Sequence, residues 1–290
     1  MIAKLYRLGL MLIAPITMVA AFAHVALGVL YAALFFPWIG TRGRDAAVIY
    51  WSRLLLLLIG VRLESRGLPP QPGAMRDAPA LGSLLLINHT SWLDVFSIAA
   101  VVPARFVSKA EIGRWPLAGW LAIAVGTLFV ERGKRHAVMR ANQAVSDRLR
   151  SGQLIGVFPE GTTTDGSRLL PFHANLVQPA IDLGAPIRPV GLRFTQRGEF
   201  SRVAMFVGEM NLVQSLWRVV TAPHLAVELH WLPAIDPQPA TRHAAARAAR
   251  AAIAHELAVP LDEHAMVPSD LSPAAEGDDS EPGPSSAPAS

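Results

Sequence analysis

The chain is predicted to be an α/β protein with a mostly parallel central sheet flanked by helices, behind an N-terminal apolar membrane-associating helical segment. Three observations lead there. Apolar runs of strand length recur at 81–87, 104–108, 126–131, 153–158, 187–194, 203–208 and 225–232, with a short candidate at 61–65. Helical patterns fill the gaps at 92–101, 115–124, 135–150, 174–184 and 211–220. Such alternation argues for parallel strands joined by helical crossovers. The third observation is the unusual apolarity of the first 60 residues, in a chain that is 52% hydrophobic with a mean hydropathy of +0.34.

Three regions follow: a membrane-associating segment at 1–60, an α/β domain at 61–265 and a disordered tail at 266–290. Lys4 and Arg7 precede an apolar run from Leu8 to Ile39, interrupted only by residues such as Pro15, Thr17 and His24. That run exceeds the roughly 20 residues a helix needs to span a bilayer. Ala21-Phe22-Ala23 imitates a signal-peptide cleavage site, but the apolar run continues well past it, which favours a retained anchor. Arg42, Arg44 and Arg53 then lead into a second apolar block, Leu54–Ile59. Basic residues flank the first run on both sides, so charge bias leaves two topologies open: a single span, or a helical pair dipping into one leaflet.

Residues 66–80 are rich in Pro and Gly and read as a connection. The Ala-rich stretch 241–258 reads as a helix with a solvated face bearing Arg242, Arg247 and Arg250. Beyond Pro268 the composition is that of a disordered tail. This tail carries five acidic residues and no Lys or Arg, which leaves 26 basic against 17 acidic residues, a net +9, on residues 1–267. Such a balance suits an anionic membrane surface or a phosphorylated substrate. The charge is scattered and no nucleic-acid-binding motif occurs, so nucleic acid is not an expected partner. The absence of cysteine excludes disulfides, thiolate metal sites and a Cys nucleophile. The nine histidines lack metal-ligand spacing, His255-Glu256 included, so no metal is expected.

The chemistry-bearing stretch is Asn88-His89-Thr90-Ser91-Trp92-Leu93-Asp94, a polar heptad between a buried strand and a helix. That junction lies at the carboxyl end of a sheet, where open α/β proteins build sites. A turn and the first helical residues bring His89 and Asp94 together, so that the carboxylate fixes the imidazole tautomer and supports a general base. A turn with a helix N-cap is the bland alternative for the same residues. A second constellation, Phe158-Pro159-Glu160-Gly161-Thr162-Thr163-Thr164-Asp165-Gly166, follows the strand at 153–158. It offers a carboxylate, a permissive glycine and hydroxyls at a second sheet end, or else a surface turn without chemistry. A third piece runs from Gly126 to Gly133 and ends in Glu131-Arg132, where Arg132 either pairs with a phosphate or simply with Glu131. The fourth, Ala185-Pro186-Ile187-Arg188-Pro189-Val190, opens a strand and shapes a wall of the site.

These four pieces, in this order and spacing, resemble the glycerolipid acyltransferase family of the lysophosphatidic acid acyltransferase type. The resemblance spans about 80–195 and rests on Asn88-His89 with Asp94, Gly126 to Arg132, Phe158-Pro159-Glu160-Gly161-Thr162, and Pro186 to Val190. It implies direct acyl transfer from an acyl thioester, carried by coenzyme A or acyl carrier protein, to the hydroxyl of a lysolipid. The expected acceptor is 1-acyl-sn-glycerol-3-phosphate, giving phosphatidic acid in phospholipid synthesis; a lyso-ornithine lipid is the alternative. In that scheme His89 is the general base and Asp94 its orienter. Glu160, Gly161 and Thr162 position the acceptor, and Arg132 holds its anionic head. No covalent acyl-enzyme and no cofactor are implied; membrane lipids and the acyl carrier are the partners. The implied location is the inner membrane, with the catalytic domain on the cytoplasmic side.

One departure bears on the acceptor. Many family members acting on lysophosphatidic acid carry Arg and then Ser after Glu-Gly-Thr, where this chain has Thr163 and Thr164. Arg132, Lys109, Arg114 and Arg168 are the candidates to replace that charge. Two rival classes fit the sequence less well. An esterase built on Ser91 lacks a nucleophile-elbow pattern. A non-catalytic lipid-binding protein has no need of the intact His89, Asp94 and Glu160.

Overall fold

The structure is a computed structural model that describes residues 2–70, 81–115, 118–131, 135–236 and 241–262. Helices and strands are labelled in chain order. The first two helices are α1 (Ile2–Phe35) and α2 (Thr41–Leu58). There follow β1 (Arg62–Gly67), β2 (Leu84–Ile87), α3 (Leu93–Ala99), β3 (Arg105–Lys109), α4 (Ala118–Ala124), β4 (Leu128–Val130), α5 (Arg135–Arg150) and β5 (Ile155–Val157). The chain continues with α6 (Gln178–Leu183), β6 (Ile187–Gln196), β7 (Glu199–Phe200), α7 (Leu212–Val220), β8 (Leu225–Trp231) and α8 (Arg242–Leu257).

Eight strands form one sheet in the order β1-β8-β6-β2-β5-β3-β4, with β7 hairpinned onto β6. The pairs β6–β2, β2–β5, β5–β3 and β3–β4 are parallel, as is β1–β8, whereas β6–β8 is antiparallel. The central strand β2, Leu84-Leu85-Leu86-Ile87, is wholly buried. Such a continuous apolar run is what a strand covered on both faces requires. Leu85 and Ile87 face a cluster that includes residues of α1, α2, α3 and α7, while Leu84 and Leu86 face one built on α5, α6 and α8. Connections from the neighbours β2 and β5 thus leave on opposite faces, through α3 and α6. The crevice between their carboxyl ends is where such sheets place a site.

α1 does not stand away from the domain. Ala14, Ala21, Ala32 and Phe36 are buried, with Met18 packed beside them, at the seam spacing of a helix lying along a partner. Midway, the indole N–H of Trp51 in α2 donates to the His24 carbonyl at 3.3 Å, and the two rings stack 4.7 Å apart. Opposite this seam, Leu12, Ile16, Val19, Leu27 and Leu30 each expose half or more of their surface. The helix is long and apolar enough to cross a membrane by length and composition.

Several expectations change in detail. Residues 203–208 form turns, not a strand. The hairpin through Arg197 and Gly198, both at positive φ, pairs only Glu199 and Phe200 before the chain leaves the sheet. Ala204 and Met205 then enter the core from a loop, which explains a strand-like composition without a ladder. The helix expected at 174–184 opens as a 3-10 turn, Asn175–Val177, and ends at Gly184 in the left-handed conformation. α8 is mainly a packing helix: Ala245, Ala246, Ala249, Ile253 and Leu257 are buried, and Arg250 reaches inward to the carbonyls of Leu169 and Asp262, 2.7 Å from each. The acidic tail and most of the 66–80 connection lie outside the described residues.

Candidate active site

The turn after β2 is built around a single carboxylate. Asp94 sits in the first turn of α3 and is fully buried. Its Oδ2 accepts from the backbone N–H of Thr90 at 2.7 Å and of Ser91 at 2.9 Å, and lies 2.8 Å from Nδ1 of His89. The carboxylate therefore satisfies the N–H groups that a turn leading into a helix leaves unpaired, and places the imidazole with the same oxygen. With Nδ1–H donating to Asp94, the neutral imidazole presents Nε2 as an acceptor. The His89 side chain is 20% exposed, which gives an incoming group access to the ring.

The imidazole is fixed on two further sides. Its ring stacks on Phe158 with centroids 4.0 Å apart at 18°, and Phe158 stacks in turn on Phe106. The His89 backbone is held by Glu160, whose Oε1 accepts from its N–H at 2.8 Å while Oε2 accepts from Leu170 N–H at 3.2 Å. The Glu160 carboxyl is 1% exposed and pushed up to about 7. Burial is the main cause, and the Asp94 charge adds to it; the two backbone hydrogen bonds and Arg250 act in the opposite direction. One residue earlier, Asn88 forms a two-way clamp on β6, donating to the Leu192 carbonyl at 2.8 Å and accepting from its N–H at 2.7 Å.

The loop after β5 completes the edge. Gly161 adopts φ +72, the left-handed region that favours glycine, and its N–H donates to the Phe158 carbonyl at 3.1 Å. That turn puts Thr162 out to solvent and brings Thr164 back, so that its N–H donates to the His89 carbonyl at 2.9 Å. His89, Asp94 and Glu160 are thereby gathered at one point, with Gly161 and Thr162 on the adjoining outer loop. Glu160 faces inward with both oxygens engaged, so its geometry is that of a brace under His89. Arg132 lies outside the described residues. Of the other candidate cations, Lys109 ends β3 at the same edge and Arg168 pairs with Asp262 at 3.3 Å. Arg114 is exposed at the end of the 3-10 turn after β3.

Two supports of the site carry little or no signal in the sequence. The Asn88 clamp reaches 104 residues along the chain to a backbone partner, for which no local signal exists. The Phe158 stack has only a weak one, an aromatic residue directly before Pro159-Glu160.

A buried carboxylate locked to a part-exposed histidine, in the crevice of a mostly parallel α/β sheet, is an arrangement that can orient an imidazole for proton transfer. Comparison with known proteins narrows that chemistry. A model of the Acyltransferase family matches residues 74–193. The lyso-ornithine lipid O-acyltransferase of Pseudomonas aeruginosa is 36% identical over 186 residues, 64% of this chain and 72% of that protein. The 1-acyl-sn-glycerol-3-phosphate acyltransferase of Neisseria meningitidis is 35% identical over 194 residues, covering 67% of this chain and 73% of the relative. Among solved structures, the 1-acyl-sn-glycerophosphate acyltransferase PlsC of Thermotoga maritima superposes with a TM-score of 0.63 at 17% identity, over 88% of this chain and 96% of that one. The chain belongs to the acyltransferase family and is an O-acyltransferase of lipid metabolism.

Proposed function

We propose that the protein transfers an acyl group from a thioester of coenzyme A or acyl carrier protein to the hydroxyl of a lysolipid, with His89 as general base. The observation that carries this reading is the 2.8 Å contact between His89 Nδ1 and the buried Asp94 Oδ2, which leaves Nε2 for the acceptor. Nε2 takes the hydroxyl proton as the oxygen attacks the thioester carbonyl. A C–O bond forms, the tetrahedral intermediate collapses, and the C–S bond breaks. The imidazolium, supported by Asp94, returns its proton to the departing thiolate. No protein nucleophile takes part, in keeping with a chain that contains no cysteine. Gly161 and Thr162 border the acceptor, while Glu160 holds the His89 backbone at the correct height.

Relatives of near-equal identity carry two acceptor names, lyso-ornithine lipid and 1-acyl-sn-glycerol-3-phosphate. Both are lysolipids with a free hydroxyl, and both suit this mechanism. An enzyme of either kind meets its acceptor at a membrane. We read α1 as lying lengthwise in one leaflet, because its seam rests on the domain from Ala14 to Phe36 while its outer face is apolar. The thioester donors are products of the cytoplasm, which favours the cytoplasmic side of the inner membrane.

The test uses the full chain in lipid vesicles with a labelled acyl donor and each lysolipid. Acylated product is expected, and His89→Ala is expected to lower its rate by about 10²-fold or more with the fold intact. Unchanged transfer by that variant would overturn His89 as the base. Release of free fatty acid in place of acylated lysolipid would favour hydrolysis over transfer.

A further inference from the structure

The loop that closes over His89 carries a pair of opposite charges that the transfer chemistry does not use. Thr164 is bound to the His89 carbonyl through its N–H at 2.9 Å and its hydroxyl at 3.3 Å. The crossing segment before α7 is bound in the same way, with Phe206 N–H donating to the Thr90 carbonyl at 2.9 Å and the Thr163 hydroxyl donating to the Phe206 carbonyl. Asp165 follows one of these straps and Arg202 precedes the other, and they face each other with Oδ2 and Nη2 3.5 Å apart. Both side chains are open to solvent, 43% and 62% exposed, on segments tied by backbone hydrogen bonds to the His89–Thr90 turn.

The pair is oriented but not consumed. Oδ1 of Asp165 accepts from the N–H of Ser167 at 3.0 Å and from its hydroxyl at 2.6 Å, so the carboxylate is held with Oδ2 outward. Those hydrogen bonds, the hydroxyl's first, keep the Asp165 carboxyl below the usual range, and it is a full negative charge at neutral pH. Among the described residues the Arg202 guanidinium makes no hydrogen bond, so its donors are open to a ligand. The neighbouring hydroxyls of Thr163 and Thr164 are turned onto the carbonyls of Phe206 and His89 and are poorly placed to meet a phosphate.

Taking the acyl-transfer reading as given, we propose that Asp165 and Arg202 read the acceptor's headgroup and select a lysolipid bearing both an ammonium and a carboxylate over one bearing a phosphate. An ammonium meets Asp165 Oδ2, and a carboxylate meets the planar fork of Arg202. A lyso-ornithine lipid has this chemistry. A phosphate also meets Arg202, but it brings a second anion against Asp165, and discrimination comes from that repulsive contact as much as from the attractive ones.

The experiment compares kcat/KM for lyso-ornithine lipid and 1-acyl-sn-glycerol-3-phosphate in the full chain and two variants. The unmodified protein is expected to favour lyso-ornithine lipid. Asp165→Asn is expected to move the two acceptors in opposite directions: about fivefold down for lyso-ornithine lipid, mainly through KM, and up for the phosphate, in line with exposed charge contacts. Arg202→Gln is expected to lower use of lyso-ornithine lipid by a similar factor. A common loss on both acceptors in Asp165→Asn would mark a merely structural role, and no change in either variant would overturn the assignment. Preference of the unmodified protein for the phosphate overturns this inference alone. Failure to acylate either lysolipid overturns the acyl-transfer reading and this inference with it.

Discussion

The imidazole of His89 lies face to face with the ring of Phe158, centroids 4.0 Å apart, and Phe158 rests on Phe106 in the same orientation. Asp94 fixes one end of the imidazole; the aromatic stack fixes its plane. Together they determine where Nε2 points. A base that must meet a hydroxyl within hydrogen-bond reach loses rate steeply when it tilts. Phe158→Leu keeps an apolar wall but removes the flat face. The expected result is a loss in kcat of about tenfold with KM little altered. Steady-state kinetics on either lysolipid checks it, and a change confined to KM would assign Phe158 to substrate contact.

Asp94→Asn tests the hub directly. Oδ2 receives three donors, two from backbone N–H groups and one from His89. An amide oxygen at the Oδ2 position still accepts all three, but the charge that supports an imidazolium is gone. The NH₂ is then left at the buried Oδ1 position beside the Thr90 hydroxyl, 3.5 Å away, with at least one N–H unpaired. The reverse rotamer points donors at donors. Turnover is expected to fall by about 10²-fold or more. Stability is expected to drop by about 1–3 kcal/mol, the cost of an unsatisfied buried group. Denaturant melts beside turnover measurements separate the two effects. Full activity in Asp94→Asn would remove the carboxylate from the mechanism.

Much of this arrangement is legible in the chain, for identifiable reasons. His89 and Asp94 are five residues apart across a strand-to-helix junction, so local geometry alone brings them together. The buried run Leu84–Ile87 announces a central strand by lacking any polar alternation. Partners distant in sequence are not legible. Glu160 reads as a carboxylate offered to a substrate, because nothing nearby says that His89 N–H, 71 positions away, takes Oε1. The segment 203–208 has strand composition, yet its backbone bonds to Thr90 and its core residues are placed by a loop. Residue type carries propensity; it does not name a hydrogen-bond partner across the fold.

The seating of α1 depends on one close approach. Gly28 faces the Trp51 indole so closely that an added Cβ would lie 2.4 Å from its Nε1. Gly28→Val forces α1 away from α2 or displaces the indole from its stack on His24. A loss of about 1–3 kcal/mol is expected from such overpacking. The thermal midpoint of the protein in detergent or vesicles is expected to fall accordingly, while the His89–Asp94 contact, made locally within the turn from β2 to α3, keeps transfer chemistry at permissive temperature. An undiminished midpoint would mean that α1 is not held against α2 as the structure has it.

Glu160 makes stability depend on pH in a defined direction. Its carboxyl ionises at about 7 in the folded chain and at 4.5, the ordinary glutamate value, once unfolding returns it to water, because burial disfavours the charge. The folded state therefore binds the proton more tightly. The associated stabilisation is fully present below pH 4.5 and is lost as pH rises through about 7. A shift of that size corresponds to a pH-dependent change on the order of 3 kcal/mol. Glu160→Gln removes the titration, although its amide still contests one of the two N–H donors from His89 and Leu170. The unfolding free energy of the native chain, measured relative to Glu160→Gln, is thus expected to decline between about pH 4.5 and 8 and to level off above. Denaturant titrations across that range check the slope. A difference that stays flat, or that grows with pH, would place Glu160 in a better-solvated setting than the buried brace beneath His89.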